Sequence, residues 1–197
     1  MPVPNQREVE VVVGKYARRI RRATDAGFRA FVRRTGGAPN RFARTDAADV
    51  FDCVAQAIAR EFSDGVGGKV MDGRGTLKLL LDGRVLVRFK KAGRNGVGSN
   101  LRTRANDKFL DPALPYEDAP QAAKVEICWT VNDTGTSFGS LRVIARNGDA
   151  GLWGFDLPGA APLPLFDAKP AAPAKGRPRR SVAKLKGAKP EGERDAS

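Results

Sequence analysis

The chain has 197 residues, with 35 Lys or Arg against 22 Asp or Glu, and its net charge is +13. It contains no His, which excludes Ser-His-Asp and Cys-His catalysis and His-ligated zinc. Cys53 and Cys128 stand too far apart for a Cys-x-x-Cys pair and are too few for a disulfide scaffold, so we expect both to be reduced and buried. A positive field attracts polyanions, which makes nucleic acid the first candidate partner, ahead of acidic proteins and anionic lipid.

Nothing in the sequence indicates export or membrane insertion. Charges run through the first 22 residues, unlike a signal peptide, and no apolar run approaches the roughly 18 residues of a membrane span. We therefore expect a cytoplasmic protein that makes no contact with membrane. We also expect no metal and no cofactor.

A break in composition near Asp167 divides the chain into two parts. Residues 168–197 are rich in Pro and Gly, contain no aromatic residue, and carry nine basic and three acidic side chains. Such a segment cannot bury enough apolar surface to offset the entropy lost on ordering. We expect a single domain over residues 1–167 and a disordered basic tail over 168–197.

The first predicted element is an amphipathic helix. Asn5 with Glu8 forms a capping-box-like start, and apolar residues follow at spacings of three and four as far as Phe31, so the helix extends to about Arg34. Five basic residues fall within about 60° of one another on the opposite side; they are Lys15, Arg18, Arg22, Arg29 and Arg33. This basic face is either a solvated helix surface or a surface that contacts phosphates.

A second helix is predicted to begin at Thr45 and Asp46 and to extend to Phe62, with an apolar stripe that starts at Val50. Asp46 and two further aspartates lie early in it, where the helix dipole favours negative charge. We interpret them as helix-stabilising rather than catalytic.

The period changes to two from Lys69 onward, which predicts strands. A three-residue hairpin loop, Leu81 to Gly83 with positive φ at Gly83, places the apolar residues of both strands on one face. That apolar face consists of Leu77, Leu79, Val85, Val87 and Phe89. The other face would display Lys78, Arg84, Arg88 and Lys90 beside Leu80 and Leu86. This face has enough apolar surface to need a cover, which a partner or a polyanion could supply.

A glycine-rich loop follows the hairpin, with Gly93, Gly96 and Gly98. Its spacing fits neither a Walker loop nor a dinucleotide fingerprint. Basic residues flank it, namely Lys90, Lys91, Arg94, Arg102 and Arg104. It is either a phosphate-contacting loop or a mobile connection.

A short helix over Thr103–Leu110 and three strands complete the domain. The strands are predicted in KVEICWTVN, GSLRVIARN and LWGFDLP, with Trp129 facing inward. The predicted fold is therefore α+β, with two N-terminal amphipathic helices packed on an antiparallel meander of five or six strands.

A His-free enzyme stays open but is not favoured. A metal-dependent nuclease of the restriction-endonuclease type would use an acid pair followed by Glu-x-Lys on a strand. Asp72, Asp82 and Glu126 lie on or near adjacent predicted strands, but Arg88 stands where the acid before Lys90 would be. We therefore assign no catalytic residue.

A resemblance to known proteins rests on two stretches within residues 85–159, LVRFKKAGRNGVGSN and KVEICWTVNDTGTSFGSLRVIARNGDAGLWGFDLPG. They resemble a group of uncharacterised bacterial proteins encoded beside helix-turn-helix regulators fused to zinc metallopeptidase domains. The resemblance implies a toxin–antitoxin or phage-defence operon and a regulator protein as partner. It transfers no catalytic residue.

The tail contains Gly176-Arg177-Pro178-Arg179-Arg180, which has the form of a minor-groove hook. Arg177, Arg179 and Arg180 would enter an A·T-rich groove, or the tail is a solubilising extension that binds polyanions without specificity.

Two functions remain in view. The first is nucleic-acid binding, to DNA or RNA, through a cationic helix and sheet face together with the tail. The alternative is a toxin-type effector or protein-interaction module that a partner regulator neutralises by covering the sheet face around Leu80, Leu86 and Arg88.

Overall fold

A computed structural model describes residues 4–37, 42–73, 76–93, 96–98, 103–132 and 137–157. The elements in chain order are α1 (Gln6–Thr35), α2 (Ala43–Glu61), β1 (Gly68–Gly73), β2 (Thr76–Leu81), β3 (Val85–Lys91), α3 (Arg104–Leu110), β4 (Ala123–Val131), β5 (Phe138–Asn147) and β6 (Ala150–Asp156). The predicted α+β class, with two N-terminal helices packed on a sheet, is confirmed. The predicted tail and its boundary lie outside the described residues. No helix within them is long and apolar enough to cross a bilayer.

Helix α1 begins and ends where its sequence predicts. The side chain of Asn5 accepts a hydrogen bond from the backbone N–H of Arg7 at 3.0 Å, which satisfies one of the free donors at the helix start. Gly36, at φ 63°, ends the helix in the left-handed conformation that glycine adopts at low cost. The apolar face between these two ends is buried in the core.

Helix α2 packs closely against α1. It begins at Ala43, two residues before the predicted start, and its N-cap residue Phe42 supplies no side-chain hydrogen bond. A Cβ on Gly27 of α1 would lie 2.6 Å from the Cα of Val54, so glycine at this position allows the two helix backbones to approach. Cys53 is buried at the same contact, as expected of a packing residue.

The sheet has the strand order β1-β2-β3-β4-β5-β6 and is mixed. All neighbouring pairs are antiparallel except β3 and β4, which run parallel with Arg88 opposite Glu126. The predicted all-antiparallel meander is therefore wrong at this one pairing. Parallel neighbours need a crossover connection of a dozen or more residues, and residues 92–122, which include α3, provide it.

In the β2–β3 hairpin the side chains lie on the predicted faces of the sheet, but the loop occupies different residues. Leu81 pairs with Val85, so the loop is Asp82–Arg84, one position later than the predicted Leu81–Gly83. Gly83 has the predicted positive φ, at 67°, and Asp82 also lies in the left-handed region at 49°. A loop of three residues in either position leaves the same side chains on the same face, and all five predicted apolar residues are buried.

The sheet is covered on both faces. Helices α1 and α2 pack on one face, over a core that includes Trp129, which is buried as predicted. On the other face, Leu86 is fully buried in a smaller cluster with Phe109 and Leu110 of α3. This face is covered, as its apolar surface indicated, and the crossover segment supplies the cover.

A buried lysine fastens the crossover to the sheet. The Nζ of Lys124, on β4, donates to the backbone carbonyls of Lys108 at 2.8 Å, of Leu114 at 2.7 Å and of Asp111. Three carbonyl acceptors satisfy the three donors of an ammonium group. The segment that follows α3 is thereby held against the start of β4.

Candidate nucleic-acid interface

Four arginines line the outer side of α1 and form what we call the α1 row: Arg18, Arg22, Arg29 and Arg33. They cover about 22 Å of helix, at 1.5 Å per residue, and lie within about 60° of one another around the axis. Arg18, Arg22 and Arg33 are exposed, and Arg29 is half-buried. The structure thus brings together four of the five basic residues predicted for this helix face.

Tertiary contacts neutralise part of the basic face of α1. Lys15 Nζ lies 2.9 Å from Asp82 Oδ2, and the guanidinium of Arg22 pairs with Glu61 at the end of α2. The hydrogen bonds from Arg22 lower the pKa of Glu61, so this carboxylate stays charged at neutral pH. Among the described residues, the other three arginines of the α1 row have no acidic partner.

One carboxylate lies along the α1 row. Asp25 falls between Arg22 and Arg29, and its Oδ2 is 3.3 Å from the Nε of Arg21 on the flank of the helix. That arginine offsets the charge of Asp25. The α1 row therefore keeps an excess of positive charge despite the acid within it.

Asp82 anchors the N-terminal half of α1 to the β2–β3 hairpin. Tyr16 donates its hydroxyl to Asp82 Oδ1 at 2.5 Å, and Lys15 binds the other carboxylate oxygen. These hydrogen bonds, the one from Tyr16 first, lower the pKa of Asp82. Lys15 thus belongs to a structural contact as well as to the basic face.

Arg88 does not lie on an exposed sheet face, contrary to the prediction. It is 5% exposed, and its Nε donates to Glu126 Oε1 at 2.7 Å. Its Nη1 donates to Asn106 Oδ1 of α3 at 2.9 Å, and its guanidinium carbon lies 4.2 Å from the ring centroid of Phe109. α3 therefore covers Arg88 and shields it from any large ligand.

Glu126 holds two arginines at once. It is 1% exposed, and the Nη1 of Arg146 lies 3.1 Å from its second oxygen, Oε2. The same Nη1 donates to the carbonyl of Gly98 at 2.9 Å. We refer to Arg88, Glu126 and Arg146 as the buried ion cluster. Its role is structural, because buried charges persist only when they are paired and hydrogen-bonded.

The other cations predicted on the sheet share this side. Lys78 is half-buried, donates to Thr76 Oγ1 at 3.1 Å and lies 5.2 Å from the ring centroid of Tyr116. Lys90 is half-buried as well, and its pKa is lowered, first by burial and then by the charge of Arg88. The sheet separates both from the α1 row, so the predicted helix and sheet cations do not form one surface.

The remaining predicted cations are dispersed. Arg84 is exposed in the β2–β3 turn, and Arg104 is exposed at the start of α3. Lys91 is exposed at the end of β3, with its Nζ 5.9 Å from the ring centroid of Trp129. Five further predicted residues lie outside the described residues: Arg94, Arg102, Arg177, Arg179 and Arg180.

The carboxylates considered for nuclease chemistry are engaged elsewhere. Asp82 binds Lys15 and Tyr16, and Glu126 binds two guanidinium groups. The side chain of Asp72 lies outside the described residues. The described part of the chain contains no group of three His, Cys, Asp or Glu side chains that could hold a metal ion.

The two cysteines are buried, as predicted, and unbonded to each other. Burial raises the pKa of Cys128 to about 12 and also raises the pKa of Cys53. A thiol is nucleophilic only as the thiolate, so both cysteines are protonated and unreactive at neutral pH.

Sequence reasoning missed the ion pair between Glu126 and Arg146 and the exposed charge of Arg44. Glu126 and Arg146 come together only when β4 pairs with β5. An acid in the mostly apolar strand Ala123–Val131, which also contains Lys124 and Thr130, was a signal that the acid has a buried partner. Arg44, in the first turn of α2, is exposed and has no acidic partner in the described part of the chain.

Comparison with known proteins found no matching family model, no matching curated protein and no matching solved structure.

Proposed function

We propose that the protein binds nucleic acid, DNA or RNA, in the cytoplasm through the α1 row. The observation that carries the proposal is that Arg18, Arg29 and Arg33 are aligned on one side of a long helix. Arg18 and Arg33 are exposed and Arg29 is half-buried, and none of the three has an acidic partner among the described residues. A row of this kind matches the regular charge of a phosphate backbone, and binding releases the counterions that the phosphates hold. The net charge of +13 adds long-range attraction, and the basic tail adds salt-sensitive affinity.

The burial of α1 favours nucleic acid over a lipid surface. A helix that lies on a membrane inserts an apolar face between the lipid headgroups. The apolar face of α1, including Ile20 and Phe28, is already buried against α2 and the sheet. Only the charged side is left for a ligand, which fits contacts to phosphate without insertion.

The contacts of the carboxylates favour binding without cleavage. Glu126 and Asp82 are both tied to cations by short hydrogen bonds, so neither is free to accept a proton from water or to bind a metal. We therefore propose a binding protein rather than a nuclease.

The alternative of a partner-neutralised effector loses the docking surface that the sequence suggested. Leu86 and Arg88 lie beneath α3, and Leu80 packs against the same cluster. A regulator covering that patch would first have to displace α3 and break the hydrogen bond between Arg88 and Asn106.

The test is a salt titration with charge-neutral variants. The row variant replaces Arg18, Arg29 and Arg33 by Gln. The matched control replaces Lys69, Lys108 and Arg142 by Gln, three exposed cations outside the α1 row, so both proteins lose the same charge. Binding of labelled duplex DNA and structured RNA is measured for full-length proteins over a range of salt concentrations.

We expect the row variant to bind more weakly, and the slope of log K against log salt to fall by roughly 0.9 for each duplex phosphate that is no longer neutralised. The control should show only the small, general effect of lower net charge. Equal losses of affinity in the two variants would show that net charge alone drives binding, and the α1 row would then have no special role. Cleavage of the recovered nucleic acid in the presence of magnesium would refute binding without cleavage.

A further inference from the structure

A cationic cleft lies between the start of α2 and the end of β3. Its volume is about 510 Å³, within the range of roughly 300 to 1,000 Å³ that small-molecule sites occupy. Arg44 and Lys91 line it with exposed cationic side chains, and no carboxylate is among its lining residues. Arg88 and Lys90 also border the cleft, but their side chains lie on the α3 face of the sheet, beside Glu126. It is not part of the α1 row, and sequence reasoning did not identify it.

The charge of the cleft is uncompensated among the described residues. Arg44 and Lys91 form no ion pair with any of them. The first turn of α2 borders the cleft and has no side-chain cap, so the positive end of the helix dipole lies at the same place.

Apart from Thr76 the rest of the lining is apolar, and one of its residues, Trp129, has a buried donor without a partner. Phe51, which is half-buried, and Trp129 both line the cleft. Trp129 is 2% exposed, and its indole Nε1 has no hydrogen-bond partner in the described structure. A buried donor left unpaired costs about 1–3 kcal/mol, so a ligand that brought an acceptor to it would bind more tightly.

We propose that this cleft binds a nucleoside phosphate, either as a free nucleotide or as a nucleotide unit of a nucleic-acid strand. Arg44 and Lys91, two cations without carboxylate partners among the described residues, suit one phosphate group, which carries close to two negative charges. The apolar wall that contains Phe51 suits a planar base, since bases stack on aromatic side chains. The site goes beyond the proposed function, because it does not use the α1 row.

The indole N–H signal of Trp129 provides a direct readout. The chain has two tryptophans, and the Nε1 of Trp153 already donates to the carbonyl of Pro4 at 2.8 Å. A Trp153→Phe variant of the full-length protein assigns the two indole signals in a ¹H–¹⁵N spectrum. AMP, adenosine, inorganic phosphate and a 5′-phosphorylated single-stranded oligonucleotide are then titrated in turn.

The cleft variant replaces the exposed residues Arg44 and Lys91 by Gln, and its control replaces Lys69 and Lys108 by Gln. We expect AMP to shift the Trp129 signal. Adenosine and inorganic phosphate should each bind at least tenfold more weakly than AMP. The cleft variant should bind AMP at least tenfold more weakly than the unmodified protein. The control should bind AMP as the unmodified protein does. Thermal unfolding of each variant establishes that it is folded.

The outcomes separate this proposal from the α1 row. If inorganic phosphate binds as tightly as AMP, the cleft is an anion site and the nucleotide assignment fails. If AMP leaves the Trp129 signal unmoved, or binds the cleft variant normally, the proposal also fails. A row variant that loses duplex binding but still binds AMP would support the cleft independently. Tighter binding of AMP than of the oligonucleotide identifies a free nucleotide as the ligand, and the reverse order identifies a strand.

Discussion

Removing the charge of Glu126 should destabilise the protein strongly. Glu126 is 1% exposed and binds the guanidinium groups of Arg88 and Arg146, which are 5% and 7% exposed. Glu126→Gln keeps the size of the side chain but leaves buried Arg88 without its counter-charge and leaves Arg146 only the exposed Asp149, whose Oδ1 lies 3.7 Å from its Nη2. Breaking a buried ion pair from one side costs about 3–5 kcal/mol.

The assay is reversible unfolding in urea and on heating, followed by circular dichroism. For a protein of this length 1 kcal/mol corresponds to roughly 2–4 °C, so we expect the midpoint to fall by about 6–20 °C. Glu117→Gln, the same chemical change at an exposed site on the crossover, is the control and should shift stability by less than about 0.5 kcal/mol.

A second variant tests whether the loss of stability comes from uncompensated charge rather than from poorer packing. Replacing the whole cluster by Arg88→Met, Glu126→Leu and Arg146→Met removes all three buried charges together. Such replacements are often neutral or stabilising, so the triple variant should be more stable than Glu126→Gln alone. A Glu126→Gln protein with a stability within about 1 kcal/mol of the unmodified protein would refute the reasoning, since it would mean that water or relaxation compensates both arginines.

Three further predictions concern a helix contact, a pH dependence and a thiol. Gly27→Ala should cost about 1–3 kcal/mol, measured by urea unfolding, because its Cβ would lie 2.6 Å from the Cα of Val54. The folded-state pKa of Asp82 is lowered, mainly by the hydrogen bond from Tyr16. The contact therefore stabilises the protein at a pH above the unfolded-state pKa of about 3.9, and this stabilisation is lost as the pH falls through the folded-state pKa. Asp82→Asn should therefore reduce the difference in melting temperature between pH 7 and pH 3. Cys128, with its pKa raised to about 12, should react with a thiol reagent at pH 8 only after unfolding.

Each of these has a result that would count against it. Gly14→Ala is the control for the helix contact, since a Cβ there meets nothing within 4 Å, and an equal cost in both variants would exclude crowding as the cause. An unchanged pH dependence in Asp82→Asn would mean that other carboxylates determine acid stability. Rapid labelling of Cys128 in the folded protein would show that its strand opens locally under native conditions.

The local elements were predictable because their causes are local. Asn5 at the start of α1 and Gly36 after its end set the limits of the helix, and the spacing of its apolar residues sets the buried side. The α1 row follows from the same periodicity. The partial neutralisation of the basic face of α1 does not, because Glu61 lies 39 residues from its partner Arg22 and Asp82 lies 67 residues from its partner Lys15.

The direction of β4 relative to β3 could not be taken from strand pattern. Alternation of apolar and polar side chains has the same period of two in parallel and antiparallel strands. The usable signal was the length of residues 92–122, which is long for a hairpin and sufficient for a crossover. Because that crossover folds over the sheet, it buries Arg88, which strand pattern alone placed in solvent.

The parallel pairing of β3 with β4 also bears on how the chain finds its register. Strands β1–β3 and β4–β6 each form from neighbouring hairpins, and this pairing joins the two halves of the sheet. Arg88 comes from one half, and Glu126 and Arg146 come from the other. A slip of two residues would keep every apolar side chain on its proper face but would set Arg88 opposite Lys124 or Cys128, neither of which carries negative charge at neutral pH. The buried ion cluster thus penalises a slip of two residues, which apolar patterning alone would tolerate.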